Sequence, residues 1–305
     1  MQEAFKTLPI VLLGFFFLAS AIVANKMLLV SLSPMLLVGI RMFFGGSILL
    51  LFAVKSTKRT PLPIVLQDCG MILCIALLTT FIPSLAKAYA LKHLLSSKAS
   101  FIGALDPFMT AFYARLMFHE RLSWRKMVGI FLGFLGAVLM CFVQVPGAAY
   151  KAADFLIFSL PELAALSAVA TSRLGWLLVQ RYLKKGRYQP VQLNGLIMIL
   201  SGIIALPIAC ATEVVNVGAL ISSPRTVGLL LYTIIIGNVL AYTMVAYFLK
   251  WYSSSFVSLA GFSVPIFVTL CGWMVLSEPI SAMLVVAAAV ILIAVYFFYR
   301  EERFF

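Results

Sequence analysis

The chain has 305 residues, of which 63% are hydrophobic and only 11% are charged. Soluble globular domains are about half apolar and about a quarter charged, and surface-to-volume scaling limits the apolar surface that one fold can bury. The composition therefore excludes a soluble globular protein and predicts an all-α integral membrane protein. The net charge of +13 does not indicate nucleic-acid binding, because the basic residues cluster in short loops between apolar runs, where they fix topology.

A bilayer core about 30 Å thick is crossed by about 20 helical, predominantly apolar residues. The sequence contains ten such runs, which predict ten transmembrane helices. The runs lie near residues 8–30, 34–54, 67–88, 97–118, 124–143, 155–180, 190–211, 226–249, 254–276 and 280–299. The sixth run is the least regular, because Glu162 and Arg173 interrupt it.

The positions of Lys and Arg predict the orientation of these helices. If the N-terminus is inside, the basic residues are concentrated on the inner side, as in the loops at residues 55–59 and 181–187. Cytoplasmic loops carry such an excess, so we predict a multi-pass protein of the inner (cytoplasmic) membrane with both termini in the cytoplasm. A cleaved signal peptide that ends near Ala21 is the alternative interpretation of the N-terminus.

The five cysteines all lie in or beside apolar runs, and none forms a CxxC pair. Only two histidines are present, His93 and His119. Zinc sites need clusters of these residues, so the sequence predicts no metal site and no cofactor. A GxxxxGK[ST] loop is also absent, which excludes direct use of ATP by that motif.

The chain contains an internal repeat. A shift of 158 residues aligns 89–123 with 247–281 without a gap, and the identities include Gly103/Gly261, Pro107/Pro265 and Glu120/Glu278. A weaker match at a shift of 156 relates Pro34, Gly39 and Gly46 to Pro190, Gly195 and Gly202. Each copy holds five predicted helices, an odd number, so the second copy must be inserted upside down.

The predicted organisation is therefore two inverted five-helix repeats. The first repeat covers residues 1–143, the linker loop covers 144–154, and the second repeat covers 155–305 with a short cytoplasmic tail. This architecture is typical of secondary transporters, in which two similar halves expose a central site alternately to each side. A duplicated scaffold without a transport role is the alternative.

The repeated motif resembles a known family. In the first copy Asp106-Pro107-Phe108 is followed by Phe118-His119-Glu120, and in the second copy Val264-Pro265-Ile266 is followed by Leu276-Ser277-Glu278. This pattern is similar to the EamA-type domain of the drug/metabolite transporter superfamily, present twice. The resemblance implies ten helices around a central cavity. The plastid sugar-phosphate exchangers of that superfamily have a lysine three residues before the acid, where this chain has Gly103, so it does not support phosphate binding in their manner.

Pro107 and Pro265 fall near the middle of the fourth and ninth predicted helices. Proline removes a backbone donor and clashes with the preceding turn, so both helices are expected to kink. Each kink is either a hinge with cavity-facing carbonyls or a packing feature without ligand contact.

Two charged residues inside the predicted helices are the main candidates for substrate binding. Asp106 is the single acid predicted near mid-membrane, where it would carry a coupling proton or bind an amine, or pair with Lys98 or another helix. Arg173, beside Trp176, would bind a carboxylate or phosphate, or form an ion pair with a neighbouring helix. The excess of positive groups favours an anionic or zwitterionic substrate.

Asn238 and Tyr242 are one turn apart in the eighth predicted helix and therefore share a face. Their amide and phenol would bind a polar ligand, or would join two helices by hydrogen bonds. Further candidates of the same kind are Asn25, Ser84, Tyr89 and Lys98.

We therefore expect a secondary transporter of a small polar organic metabolite, amino-acid-like and anionic or zwitterionic, that works across the cytoplasmic membrane by alternating access. The superfamily resemblance adds an alternative, an exchanger of a charged cofactor such as S-adenosylmethionine. Alternatives of another class are a membrane scaffold and an intramembrane enzyme, although an aspartyl protease would need a second acid besides Asp106. The expected partners are the lipid bilayer and the substrate, with proton or exchange coupling left open, and not nucleic acid.

Overall fold

The computed structural model describes residues 2–54, 62–93, 102–119 apart from 104, 159–212 and 223–276, with short pieces within 123–135 and 286–296. All regular secondary structure in these ranges is helical. The helices of the first half are α1 (Gln2–Leu28), α2 (Pro34–Val54), α3 (Leu62–Gln67), α4 (Cys69–Ala76), α5 (Ile82–His93) and α6 (Asp106–Phe118). Those of the second half are α7 (Leu160–Lys184), α8 (Pro190–Thr212), α9 (Pro224–Tyr232), α10 (Tyr242–Trp251), α11 (Ser254–Ala260) and α12 (Ser263–Leu276). Two π-helical segments complete them: π1 (Leu77–Phe81) joins α4 to α5, and π2 (Thr233–Ala241) joins α9 to α10.

Within the described residues, seven stretches are long and apolar enough to cross a membrane. They correspond to the first, second, third, sixth, seventh, eighth and ninth predicted spans. A part of the predicted span 97–118 and large parts of the predicted spans 124–143 and 280–299 lie outside the described residues. The protein is thus an all-helical multi-pass membrane protein.

The sixth span begins and ends later than the predicted 155–180. Its helix α7 starts at Leu160, because Ser159 and Glu162 form a capping box in which the Ser159 N–H donates to Glu162 Oε2 at 2.9 Å. Such a box satisfies backbone groups that have no partner inside the helix. Glu162 therefore starts this span instead of interrupting it.

Helices α2 and α8 pack together through glycines that the sequence repeat relates to one another. A Cβ on Gly46 would lie 2.5 Å from the backbone N of Ile199, and a Cβ on Gly202 would lie 2.5 Å from the backbone N of Phe43. The shift of 156 residues converts the first pair into the second. Because later positions on α2 meet earlier positions on α8, the two helices run antiparallel, as equivalent helices of oppositely inserted repeats would.

The two π segments also occupy equivalent positions, since a shift of 158 residues places 77–81 inside 233–241. Each receives the first helix of the other repeat. Gly175 of α7 packs on π1, where an added Cβ would lie 2.7 Å from the backbone N of Thr79, and Gly237 of π2 packs on α1, where an added Cβ would lie 2.8 Å from Ala21 Cβ. Single π turns inside α-helices often occur at functional sites. Residues near π1 and π2 are therefore candidates for such a site.

This exchange of first helices divides the molecule into two bundles. In the first bundle α7 contacts α4, π1, α5 and α6, and in the second bundle α1 contacts α9, π2, α10, α11 and α12. The pair α2 and α8 lies between the bundles. We call the side on which α7 and α10 end the inner side, and the opposite side the outer side.

The main hydrophobic core lies on the inner side. It contains Leu183 and Tyr188 from the end of α7 and the loop after it, together with Phe248, Tyr252 and Phe256 from the second bundle. The clusters on the outer side are smaller: one joins α1 and α2 with α9, and another, with Ala90, Ile102 and Ala165, stays within the first bundle. In the described residues the main core thus joins the two bundles on the inner side, and the smaller clusters on the outer side do not join them.

Candidate substrate-binding site

An ion pair links the two repeats in the interior. Asp106 is the first residue of α6, where a carboxylate is favoured by the helix dipole, and Arg173 lies midway along α7. The Arg173 Nε lies 2.6 Å from Asp106 Oδ1. Of the interpretations that the sequence left open, the structure has Asp106 paired with a basic residue of another helix.

Both members of the pair point inward and yet remain accessible. Thr110 lies one turn after Asp106 on the same face of α6 and is 2% exposed. Leu177 likewise lies one turn after Arg173 on the same face of α7 and is 1% exposed. The side chains of Asp106 and Arg173 nevertheless keep 25% and 22% of their surface accessible. Inward-facing side chains with accessible surface line an interior space, because a packed core would cover them.

Lys87 lies close to this ion pair, and Arg41 lies close to Lys87. The Lys87 ammonium interacts electrostatically with Asp106, Arg173 and Arg41. The Lys87 side chain keeps accessible surface, as those of Asp106 and Arg173 do. Among the described residues the site holds one carboxylate against three basic groups, which is an arrangement suited to a ligand with an anionic group.

Asn238 holds Arg41 in place. Arg41 Nη2 donates to Asn238 Oδ1 at 2.6 Å, and Asn238 Nδ2 donates in return to the Arg41 carbonyl oxygen at 3.0 Å. The Asn238 side chain is fully buried. The Asn238 Nδ2 also donates to Met42 Sδ at 3.4 Å. The amide therefore joins π2 to α2 and orients the guanidinium, and its three hydrogen bonds leave little of it for a ligand.

Trp176 and Tyr242 close the site on its inner side. Each lies about one turn further inward than a polar residue of the site, Arg173 and Asn238 respectively. Their rings are stacked, with centroids 5.9 Å apart and an interplanar angle of 16°. We call this pair the aromatic floor. It separates the cations above it from the hydrophobic core below it.

The remaining predicted site residues differ in their placement. Ser84 lies one turn before Lys87 on α5, and the Oδ1 of Asn25 is buried and accepts no hydrogen bond within the described part of the chain. Tyr89 lies on a different face of α5, where it lines a lateral groove of about 490 Å³ between α5 and α7 with Leu85 and Leu163. Lys98 lies outside the described residues.

The two prolines occur at helix interruptions. Leu105 forms a turn before α6, and Pro107 occupies the first turn of that helix. Gly261 and Phe262 separate α11 from α12, and Pro265 is the third residue of α12. We expected a kink within a continuous helix, and the structure instead has a break before each proline, because a first-turn position needs no N–H donor. Their role as hinges remains a prediction.

The sequence pattern of the EamA-like transporter family matches residues 6–142 and 159–300. The chain belongs to the EamA-like transporter family. This family consists of transporters, so the alternative of an intramembrane enzyme does not apply.

Curated relatives of this EamA-like chain include named transporters. It is 25% identical over 276 residues to the S-adenosylmethionine/S-adenosylhomocysteine transporter of Chlamydia trachomatis serovar L2. The aligned region covers 88% of this chain and 81% of the relative. The transporter of the same description in Chlamydia muridarum is 26% identical over 274 residues, with 88% and 84% of the two chains covered. A chloroplastic WAT1-related protein of Arabidopsis thaliana is 28% identical over 271 residues, with 88% and 63% covered.

A solved crystal structure of another protein shares the fold. It superposes with a TM-score of 0.76 over 96% of both chains at 15% sequence identity. At this sequence identity the similarity shows a shared arrangement of helices and nothing more.

Lys87 and Arg41 were not predicted as site residues from the sequence. A signal for Arg41 was present, because it is an arginine inside a predicted span without an acid nearby in the sequence. Lys87 gave no such signal, since its position near a helix end is also typical of a lysine that extends to the membrane surface.

Proposed function

We propose that this EamA-like protein is a secondary transporter that carries a small polar organic metabolite, amino-acid-like and anionic or zwitterionic, across the cytoplasmic membrane by alternating access. One observation carries the proposal: Asp106 and Arg173 form an ion pair that faces inward, remains accessible and is joined by Lys87 and Arg41. Ionisable groups in the membrane interior are costly and usually mark a substrate or ion pathway.

The charges suggest how such a substrate would be held. A carboxylate would be bound by Lys87 and by the guanidinium nitrogens of Arg173 that do not contact Asp106, and an ammonium group would be bound by Asp106. The substrate would thus insert its own charges into the existing pair. Asp106 would then exchange Arg173 for the ammonium group of the substrate. Coupling to a proton and exchange of two substrates are both compatible with such a site.

The proposed architecture is the full one predicted from the sequence. Ten spans form two inverted repeats, 1–143 and 155–305, joined by the loop 144–154, with both termini in the cytoplasm. The reciprocal glycine contacts of α2 and α8 support it, because they relate the two halves by a pseudo-twofold axis.

The proposal is tested by flux into proteoliposomes that contain the purified protein. We would measure uptake of labelled amino acids and related compounds by wild type, Asp106→Asn, Arg173→Gln and Lys87→Met. We expect each variant to lower the flux by at least about tenfold, the loss typical of a charge-assisted contact. Arg181→Gln is the matched control, because Arg181 is an exposed residue of the same helix. Normal flux in all three site variants would contradict the proposal.

A second candidate substrate is S-adenosylmethionine or S-adenosylhomocysteine. The Chlamydia relatives carry that description, and the aromatic floor offers this chain a surface on which a purine would stack or a sulfonium would interact with the ring faces. The test compares Trp176→Leu with wild type. If the substrate is an adenosyl compound, Trp176→Leu should lower its flux. The uptake of small aliphatic amino acids by the same vesicles should be unchanged. Equal effects on both would contradict this candidate.

A further inference from the structure

Arg41 is a buried cation that has no acidic partner in the part of the chain that the structure describes. It lies on α2 and is 8% exposed. The described carboxylates are engaged elsewhere: Asp106 pairs with Arg173, Glu162 caps the outer end of α7, and Asp68 lies beside the loop after α7. A charge that is removed from water is costly unless an opposite charge compensates it. The charge of Arg41 is therefore available to a ligand.

The guanidinium of Arg41 is held in one orientation but is only partly satisfied. Its Nη2 donates to Asn238 Oδ1 at 2.6 Å, whereas its Nε is buried and has no acceptor among the described residues. The Asn238 amide is neutral, so it orients the guanidinium without neutralising it. An oriented cation with an unused donor is suited to an anionic group, because charge-assisted hydrogen bonds are stronger than neutral ones.

Tyr242 of the aromatic floor adds a second donor. Its side chain lies within electrostatic range of Arg41, and its ring stacks on Trp176. Tyr242 is partly exposed, and its hydroxyl makes no hydrogen bond to a described residue. A phenol donates one hydrogen bond. Arg41 and Tyr242 can therefore bind the same anionic group beside the aromatic floor.

The charge balance of the site favours an acidic ligand. Lys87 interacts electrostatically with Asp106, Arg173 and Arg41, so three basic groups face one carboxylate, an excess of two positive charges. A zwitterionic substrate has no net charge and leaves this excess unchanged. A substrate with an additional acidic group reduces it.

We propose that Arg41 and Tyr242 form a second anion-binding subsite, which selects amino-acid-like substrates that carry an additional carboxylate or phosphate. The ammonium and the first carboxylate of such a substrate bind at Asp106, Arg173 and Lys87. The additional acidic group binds at Arg41 and Tyr242. This inference rests on the proposed function and specifies its substrate class as acidic metabolites instead of neutral zwitterions.

Binding of matched ligand pairs to the purified full-length protein in lipid nanodiscs tests the subsite. The pairs are aspartate with asparagine, glutamate with glutamine, and O-phosphoserine with serine, and the members of each pair differ in the additional acidic group. Titration calorimetry gives the Kd of each ligand. Wild type should bind at least one acid about tenfold or more tightly than its neutral partner, the effect of one charge-assisted contact.

Arg41→Gln should reduce this preference for the acid to less than about twofold, and Arg41→Lys should retain part of it because it keeps the charge. Tyr242→Phe preserves the ring that stacks on Trp176 and should lower the preference about threefold, the effect of one lost hydrogen bond. Arg225→Gln is the matched control, because Arg225 is an exposed arginine in the first turn of α9. A purely structural role of Arg41 would weaken acids and neutral partners equally.

The subsite is overturned if wild type binds no acid more tightly than its neutral partner, which includes the absence of all binding, or if Arg41→Gln keeps the full preference. Should Arg41→Gln fail to remain monodisperse, an unchanged preference in Tyr242→Phe overturns it.

Flux into proteoliposomes separates this failure from that of the proposed function. Transport of the neutral ligands without any preference for the acids would remove the subsite and leave the proposed function standing. Binding of an acid that depends on Arg41, without flux of any ligand, would remove the proposed function and leave the subsite standing.

Discussion

Asp106 of the first repeat and Arg173 of the second lie 2.6 Å apart at their charged atoms, so one ion pair joins the two halves inside the membrane. Removing either partner leaves the other charge without compensation. We expect Asp106→Asn and Arg173→Gln each to lower the free energy of unfolding by about 1–3 kcal/mol, less than the about 3–5 kcal/mol found for fully buried pairs, because both side chains stay partly accessible.

A double-mutant cycle in mixed micelles measures this pair. The double variant should be more stable than the sum of the two single effects predicts, because it removes both charges together. Arg115→Gln, an exposed residue of α6, is the control and should change stability little. Strictly additive single effects would show that the two charges do not interact.

The close packing of α2 on α8 gives a prediction about stability. An added Cβ on Gly46 would lie 2.5 Å from the Ile199 backbone N and 2.9 Å from the Gly195 carbonyl oxygen, and neither atom can move as a flexible side chain could. Gly46→Ala and Gly202→Ala should therefore each destabilise the protein by about 1–3 kcal/mol, the usual cost of overpacking.

Chemical unfolding of these variants should be compared with that of Gly70→Ala and Gly228→Ala. Both control glycines are helical and have nothing within 4 Å of the added Cβ. The controls should be neutral or slightly stabilising, since alanine is the better helix former. Equal losses at all four positions would contradict the close approach of α2 and α8.

Tyr188, in the loop after α7, gives a prediction about pH. Its hydroxyl donates to Asp68 Oδ2 at 3.0 Å. Burial, and then the hydrogen bond to Asp68, raise the pKa of Tyr188 above the ordinary tyrosine value. Because the unfolded phenol ionises near about pH 10 and the folded phenol does so at higher pH, this contribution to stability is complete below about pH 10 and decreases as the pH rises above it.

Tyr188→Phe should lower the free energy of unfolding by about 1–3 kcal/mol at neutral pH, because the Asp68 carboxylate loses a donor. It should also weaken the decrease in stability above about pH 10. Unfolding curves at neutral and alkaline pH measure both effects. Tyr247→Phe, at an exposed tyrosine, should alter neither, and an unchanged alkaline profile in Tyr188→Phe would count against the raised pKa.

The sequence predicted much of the fold because its signals are local. The span at Pro34–Val54 matched at both ends, since apolar length and flanking turn residues define such a helix without tertiary information. The span that begins at Leu160 was misplaced, because Glu162 was interpreted as an interruption of an apolar run. Glu162 instead caps the helix together with Ser159. This role depends on the local backbone geometry, which a hydropathy pattern does not report.

The site was less predictable, because it is assembled from both repeats. Asp106 and Arg173 were selected separately, each as a charge inside a span, but their pairing depends on α7 packing beside α6 instead of beside the next helix in sequence. From the sequence position of Asn238 alone, binding of a ligand and hydrogen bonding to another helix were both possible. The distance of 2.6 Å to Arg41 depends on the packing of π2 against α2, two elements of different repeats.

Pro107 and Pro265 offer a last prediction, which concerns motion. Each lies in the first turn after a break in its helix, and the shift of 158 residues relates them. Replacement by alanine restores an N–H that can bond back across the break and extend the helix through it. If the breaks are hinges, Pro107→Ala and Pro265→Ala should each slow the flux at least about threefold, to a similar extent, without loss of stability. Pro207→Ala is the matched control, because Pro207 lies inside the continuous helix α8. A loss of flux in Pro207→Ala as large as in the other two would show that the effect of proline is general and does not arise from the two symmetric breaks.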